Sequence, residues 1–197
     1  MNPATAAIRS QRLVAIIRRA SAEHAVRDGE LMLKAGVRAV EISLTTPDAF
    51  AAIERLIEVA PPDTYIGAGT VTAARQVRLV ADLGARFVVS PVLEVNVVQT
   101  AADLGLASMP GVATPTEALA AFRAHADLIK LFPARVWSPA AVADLLAAMP
   151  DLPLVPTGGI EAADAPAWIR AGAVAVGLGG ALQRADISAL LGGLEAA

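Results

Sequence analysis

Eight short apolar runs recur along the chain, and each is followed by a stretch with helical periodicity. The runs are Leu13–Arg18, Ala39–Leu44, Tyr65–Val71, Phe87–Val92, Ala107–Val112, Leu128–Pro133, Leu154–Gly158 and Val174–Gly179. They are nearly continuous rather than alternating, as expected of parallel strands covered on the outside by helices. The stretches between them carry start and stop signals. Ser21 opens the first helix and Gly36 ends it; Pro47-Asp48 opens the second, which stops at Pro61-Pro62. Thr72 opens the third, with Gly84 after its last turn, and Gly105 ends the fourth. Thr114-Pro115-Thr116-Glu117 reads as a capping box with proline at the first helical position, Ser138-Pro139 repeats that logic, Pro150 closes that helix, and Gly172 follows the seventh. A weak repeat joins helix end to strand: Ala35-Gly36-Val37, Leu83-Gly84-Ala85 and Ala171-Gly172-Ala173 each precede an apolar run. Eight such units without a linker predict one (β/α)8 barrel domain over residues 1–197, near the small end for that architecture. A doubly wound open sheet is the alternative, but the chain has no Gly-x-Gly-x-x-Gly fingerprint.

Composition narrows the chemistry. A 55% hydrophobic content with 18% charged residues excludes disorder, and a net charge of -3 without a basic cluster argues against a nucleic-acid partner. With no cysteine, disulfides, thiolate nucleophiles and thiolate metal sites are excluded. His24 and His125 lie far apart in predicted helices, so neither a metal nor any other cofactor is expected. Met1–Arg12 lacks the apolar core of a leader, and the apolar Ala171–Leu182 stretch is too short to span a bilayer. The expectation is a cytoplasmic protein without membrane contact.

One lysine stands out. The chain has only two, and Lys34 sits in an ordinary helical context, whereas Lys130 lies inside the apolar run Leu128-Ile129-Lys130-Leu131-Phe132-Pro133. Burial penalises an ammonium, and a neutral amine attacks carbonyls to form a Schiff base. The plainer reading is a lysine whose stem is buried and whose head reaches water. In a barrel, reactive groups gather at the C-terminal strand ends, which here carry Arg18, Glu41, Ser43, Thr70, Ser90, Lys130 and Thr157. Strand alternation turns Val40, Ile42, Ile129 and Leu131 toward the helices and Glu41, Ser43, Lys130 and Phe132 inward; on the third strand it assigns Ile66, Ala68 and Thr70 inward. Glu41 and Lys130 then converge, a poor arrangement for stability but a useful one for proton transfer beside a nucleophile. Gly158-Gly159 and Gly179-Gly180 end the last two strands, where backbone amides in this fold receive phosphate.

These residues, in order, resemble the 2-keto-3-deoxy-6-phosphogluconate and 4-hydroxy-2-oxoglutarate aldolase family, including the 2-keto-3-deoxy-6-phosphogalactonate aldolases. The likeness runs from about Leu13 to the final helix through AVEISL, IGAGTV, VVSP, MPGVATPTEA, IKLFPA and PTGGI. It implies a metal-free class I aldolase, a trimer of barrels, that cleaves a 2-keto-3-deoxy-6-phospho sugar acid to pyruvate and D-glyceraldehyde 3-phosphate. It makes Lys130 the Schiff-base residue and Glu41 the proton shuttle. Thr70, Pro91 and Phe132 match the pyruvyl pocket, Thr157 a substrate contact, and Gly158, Gly159, Gly179 and Gly180 the phosphate amides. Three positions depart from the pattern. Thr45 stands where the gluconate enzymes usually have arginine, and Arg18, in AIIRR, is similar to the arginine of the galactonate enzymes. Ala181 replaces a frequent serine after the last Gly-Gly, and Val92 replaces a small or polar residue. A 4-hydroxy-2-oxoglutarate or other pyruvate aldolase, a phosphate-binding isomerase or epimerase, and a non-catalytic sugar-phosphate-binding barrel are the competing readings.

Overall fold

In the computed structural model, which describes Met1–Ala197, every predicted strand position is occupied. The strands are Leu13–Ile17 (β1), Ala39–Ser43 (β2), Tyr65–Gly69 (β3), Phe87–Val89 (β4), Ala107–Met109 (β5), Gly111–Val112 (β6), Ile129–Leu131 (β7), Leu154–Pro156 (β8) and Val176–Leu178 (β9). The fifth run is split in two at Pro110, which has no N–H to donate. All pairings are parallel, in the order β5-β4-β3-β2-β1-β9 and β6-β7-β8.

Both seams between these two sheets are hydrogen-bonded. On one side Leu128 N donates to Ser108 O (3.1 Å) and Lys130 N to Pro110 O (2.9 Å). On the other, Val174 N donates to Leu154 O (3.0 Å) and Thr157 bridges Gly177. The ring therefore closes as a (β/α)8 barrel, and the open-sheet alternative is excluded.

Around it run Ala22–Lys34 (α2), Ala49–Val59 (α3), Ala74–Asp82 (α4), Val95–Asp103 (α5), Pro115–Arg123 (α6), Pro139–Ala148 (α7), Ala165–Arg170 (α8) and Ile187–Glu195 (α9). Their starts follow the expected chemistry at Ser21, Thr114 and Ser138, whose hydroxyls accept from backbone N–H groups of the first turn. Thr72 does not cap α4. Gln76 Oε1 reaches back instead and accepts from Thr72 N and Ala73 N. His125 is not helical: at φ 62 it takes the left-handed position after α6 that Gly36, Gly84 and Gly172 take after other helices.

A further helix, Pro3–Gln11 (α1), precedes β1 and was not expected. Asn2 caps it and Pro3 occupies its first position. Its buried Ala4 and Ile8 pack into the barrel interior with Val14, Ala39, Phe87, Leu128, Val155 and Ala175. Thr5 Oγ1 donates to Asp127 Oδ1, whose other oxygen accepts from Ser108 N. The barrel is thus closed at its N-terminal end by a helix, leaving the opposite end for chemistry. The larger cluster lies between strands and helices and holds Val40, Ile42, Ile129 and Leu131, as alternation predicted. It also holds Ile66 and Ala68, so the predicted inward parity of β3 is reversed. Gly67 and Gly69 are the inward residues of that strand, one against Phe87 and the other against Glu41. No helix is long and apolar enough to cross a membrane.

Candidate active site

The C-terminal ends of β1, β7, β8 and β9 surround a cavity of about 490 Å³. Lys130 lies in its wall, 7% exposed, at the centre of a three-residue strand whose two neighbours face the helices. Its ammonium stands 4.9 Å from the centre of the Phe132 ring, within cation–π range. The ring in turn packs on Gly158, where a Cβ would meet Phe132 Cε2 at 3.0 Å. Arg18, Phe132, Thr157, Gly158, Gly159, Gly179 and Gly180 all line this same cavity. Eight of the residues expected from sequence, Lys130 included, are therefore brought together.

Glu41 is 1% exposed and does not line the open space. Its carboxylate lies over Gly69, in the volume that a side chain there would take. Oε2 has no hydrogen-bond partner. Burial holds the Glu41 carboxyl above the usual range, while the charges of Lys130 and then Arg18 pull it part of the way back. An unpartnered buried acid beside a lysine is costly to keep, and such groups cluster at reactive sites.

Thr70 faces Ser43, but not by strand alternation. It adopts φ 60, a left-handed conformation unfavourable for a β-branched residue, and this turns its hydroxyl back toward the inward Ser43. Ser43 Oγ lies 2.8 Å from both Thr70 Oγ1 and Thr45 Oγ1. Thr45 is exposed, Thr70 and Pro91 are half-buried, and all three lie outside the cavity. Pro91 sits against Gly111, whose missing side chain leaves room for the Pro91 carbonyl, and Gly111 pairs with Lys130. Thr157 is buried; its hydroxyl donates to Val155 O (3.1 Å) and occupies the space over Gly177.

At the far end, Gly158 (φ 92) and Gly159 (φ 86) form a left-handed pair that only glycine adopts without strain. The cavity holds three further cations the sequence reading passed over. Arg19 is tied to Asp28 and faces the Gln183 amide. Arg184 lies 3.4 Å from Glu161, and both are on the rim. Arg135 has no acidic partner and packs on Gly159, where a Cβ would meet its Nε at 2.8 Å. Its only sequence signal is position, five residues beyond Lys130. No group of three histidine, aspartate or glutamate side chains is arranged to hold a metal ion.

Comparison with known proteins places these features in context. The family model described as KDPG and KHG aldolase matches residues 4–190. A probable 2-dehydro-3-deoxy-6-phosphogalactonate aldolase of Rhizobium meliloti is 40% identical over 178 residues, 90% of this chain and 84% of that protein. The 2-dehydro-3-deoxy-6-phosphogalactonate aldolase of Escherichia coli is 34% identical over 89% of this chain and 86% of its own length. Among solved structures, a native KDPGal structure superposes with a TM-score of 0.83 at 31% identity, covering 92% of this chain and 91% of that one. A KDPG aldolase from Legionella pneumophila, with pyruvate captured as a covalent carbinolamine intermediate, gives 0.76 at 26% identity, covering 100% and 98%.

Proposed function

The chain belongs to the KDPG and KHG aldolase family, and from that premise we propose that it is a class I aldolase of 2-keto-3-deoxy-6-phosphogalactonate, releasing pyruvate and D-glyceraldehyde 3-phosphate. The observation that carries this reading is the shared cavity: a nearly buried amine at one end and paired glycine loops at the other. The galactonate epimer is preferred because the two relatives named for it match about nine-tenths of this chain, and because Arg18 lines the cavity while Thr45 does not.

The residues divide the work as follows. Neutral Lys130 adds to the C2 keto carbon, and loss of water from the carbinolamine leaves a protonated imine. Ionised Glu41, behind the cavity wall, takes the C4 hydroxyl proton through a bridging water; the C3–C4 bond breaks, its electrons entering the imine as an enamine, and the aldehyde leaves. Glu41 then returns that proton to C3, and water releases pyruvate from Lys130. Arg18 holds the substrate carboxylate through a fork of permanent charge. Phe132 shapes the pyruvyl end, with Thr70 and Pro91 supporting it from outside the cavity, Thr157 contacts the middle of the substrate, and the amides of Gly158, Gly159, Gly179 and Gly180 receive the phosphate. None of these steps requires a metal or other cofactor.

Pyruvate with borohydride tests the assignment. One reduced three-carbon unit should attach to the protein and map to Lys130, and Lys130→Arg should be neither labelled nor active. Label on Lys34, or cleavage retained by Lys130→Arg, refutes it; absence of label in an active protein would favour another chemistry. Ala181 lends some weight to a second reading, cleavage of 4-hydroxy-2-oxoglutarate, because it supplies no hydroxyl for a phosphate. Parallel assays on that compound and the two phosphorylated epimers decide between them. The family likeness also supports a cytoplasmic homotrimer, as do the exposed Val92, Val95 and Val136; a monomer mass in sedimentation equilibrium would oppose it.

A further inference from the structure

We propose that Arg135 reads the distal anionic group of the substrate and thereby sets how strongly this aldolase depends on phosphorylation. The inference rests on the substrate reading above and supplies a charge that reading lacks. Five cations line the cavity, against a single acid, Glu161. Arg19 is committed to Asp28, and Arg184 is near Glu161. Lys130 is used as the amine. Two guanidinium groups remain without a carboxylate within ion-pair distance, Arg18 and Arg135.

These two follow different strands and sit beside different groups. Arg18 follows β1 and acts on the buried Glu41 carboxyl. Arg135 follows β7 and rests on Gly159. A 2-keto-3-deoxy phospho sugar acid is negative at both ends, so the cavity holds one free guanidinium for each. The backbone holds Arg135 in register with the glycine loop: Ala134 N donates to Thr157 O (2.8 Å) and Arg135 N to Gly158 O (3.1 Å). Gly159, at φ 86, leaves the space in which the Arg135 side chain lies, and any Cβ there would collide with it. Ala181 adds no hydroxyl donor to the same wall. Backbone amides are neutral donors, whereas a guanidinium adds permanent charge and a fork that matches a phosphate or carboxylate. The same chemistry would serve the phosphate of a sugar acid or the second carboxylate of 4-hydroxy-2-oxoglutarate.

Steady-state kinetics of the unaltered enzyme, Arg135→Gln and Arg135→Lys on three substrates test this. The substrates are 2-keto-3-deoxy-6-phosphogalactonate, its unphosphorylated form and 4-hydroxy-2-oxoglutarate. With Arg135→Gln, KM for the phosphorylated substrate should rise about tenfold, the low end for hydrogen bonds to a charged group because the side chain is exposed. Its kcat, its labelling by pyruvate and borohydride, and cleavage of the unphosphorylated sugar acid should stay within twofold. Arg135→Lys should recover part of the loss. A matching rise in KM for 4-hydroxy-2-oxoglutarate would extend the role to a distal carboxylate; a rise for the phosphate alone confines it to phosphate. If the unaltered enzyme prefers the phosphorylated substrate but Arg135→Gln is unchanged, or loses equally on all three, the role of Arg135 is overturned and the substrate reading stands. If the unaltered enzyme cleaves the phosphorylated and unphosphorylated sugar acids equally well, and Arg135→Gln changes neither, the substrate reading falls together with this inference.

Discussion

Replacing Gly69 with alanine should disable proton transfer without replacing any reacting group. Gly69 pairs with Ser43 in the β2–β3 register, and its inward side is filled by Glu41. An alanine Cβ would stand 2.7 Å from Glu41 Cγ and closer still to the carboxyl carbon and Oε1. Ordinary contact needs about 3.4 Å or more, so the carboxylate must retreat by roughly one to two ångströms or turn aside, in a region already packed to crystal density. A displacement of about 1 Å at a reacting group can cost on the order of 10²-fold, or about 2.7 kcal/mol at 1.36 kcal/mol per decade. Complete loss of a general acid–base sets the upper range, about 10²–10⁴-fold. The assay is kcat for aldol cleavage, with pyruvate–borohydride labelling of Lys130 followed alongside; labelling should persist while cleavage falls. Because the effect acts through Glu41, Gly69→Ala should add little in a Glu41→Ala background, where the carboxylate has gone. Fully additive losses in the double variant, or near-normal turnover in Gly69→Ala, would refute the reasoning.

Two further outcomes follow from the same geometry. Glu41 must be ionised to accept the C4 proton, and burial holds its pKa above the usual range, so cleavage should fall as pH drops through that raised value; Arg18 opposes the rise, so Arg18→Gln should move the acid limb of kcat to higher pH, and a limb that stays or moves lower would contradict this. Ser43→Ala removes the hydroxyl that joins Thr70 to Thr45, leaving the left-handed Thr70 unsupported; stability should fall by about 1–2 kcal/mol and Tm by roughly 2–8 °C, with KM for keto acids raised and Ser43→Thr restoring both, whereas an unchanged Tm would show that Thr70 is held by other contacts.

How legible the site was depended on whether a residue obeyed a period. Glu41 and Lys130 sit inside regular strands, so alternation alone turned them inward, and the structure agrees. Thr70 lies one residue beyond β3, where alternation ends; its inward hydroxyl is produced by φ 60, and the apolar run gave no sign that Gly67 and Gly69 were the inward positions. A glycine carries no hydropathic signal, and what fills its empty side is a tertiary fact. Arg135 lies in a connecting turn with no period at all, and only the carbonyls of Thr157 and Gly158 explain its place. The caps at Ser21, Thr114 and Ser138 were readable because they are local chemistry. Asn2-Pro3 carries the same kind of signal, but the nine residues of that helix are mostly small or polar, so hydropathy alone does not mark α1.

That helix has a consequence for the order in which the chain is made. α1 emerges before every strand, yet the surface that receives it is assembled from Ala39, Phe87, Leu128, Val155 and Ala175, spread over most of the sequence. Its tie to Asp127 cannot form until roughly two-thirds of the chain exists. For most of a round of synthesis, then, Ala4 and Ile8 have only Val14 of their final neighbours close at hand, and a nascent chain exposes apolar side chains of the sort that draw chaperones or neighbouring chains. Ala175, just before the last barrel strand, completes the seat for the first helix, so arrest of translation before it leaves the floor open, and a stalled-chain series should show protection of Pro3–Gln11 from protease arising late and in one step.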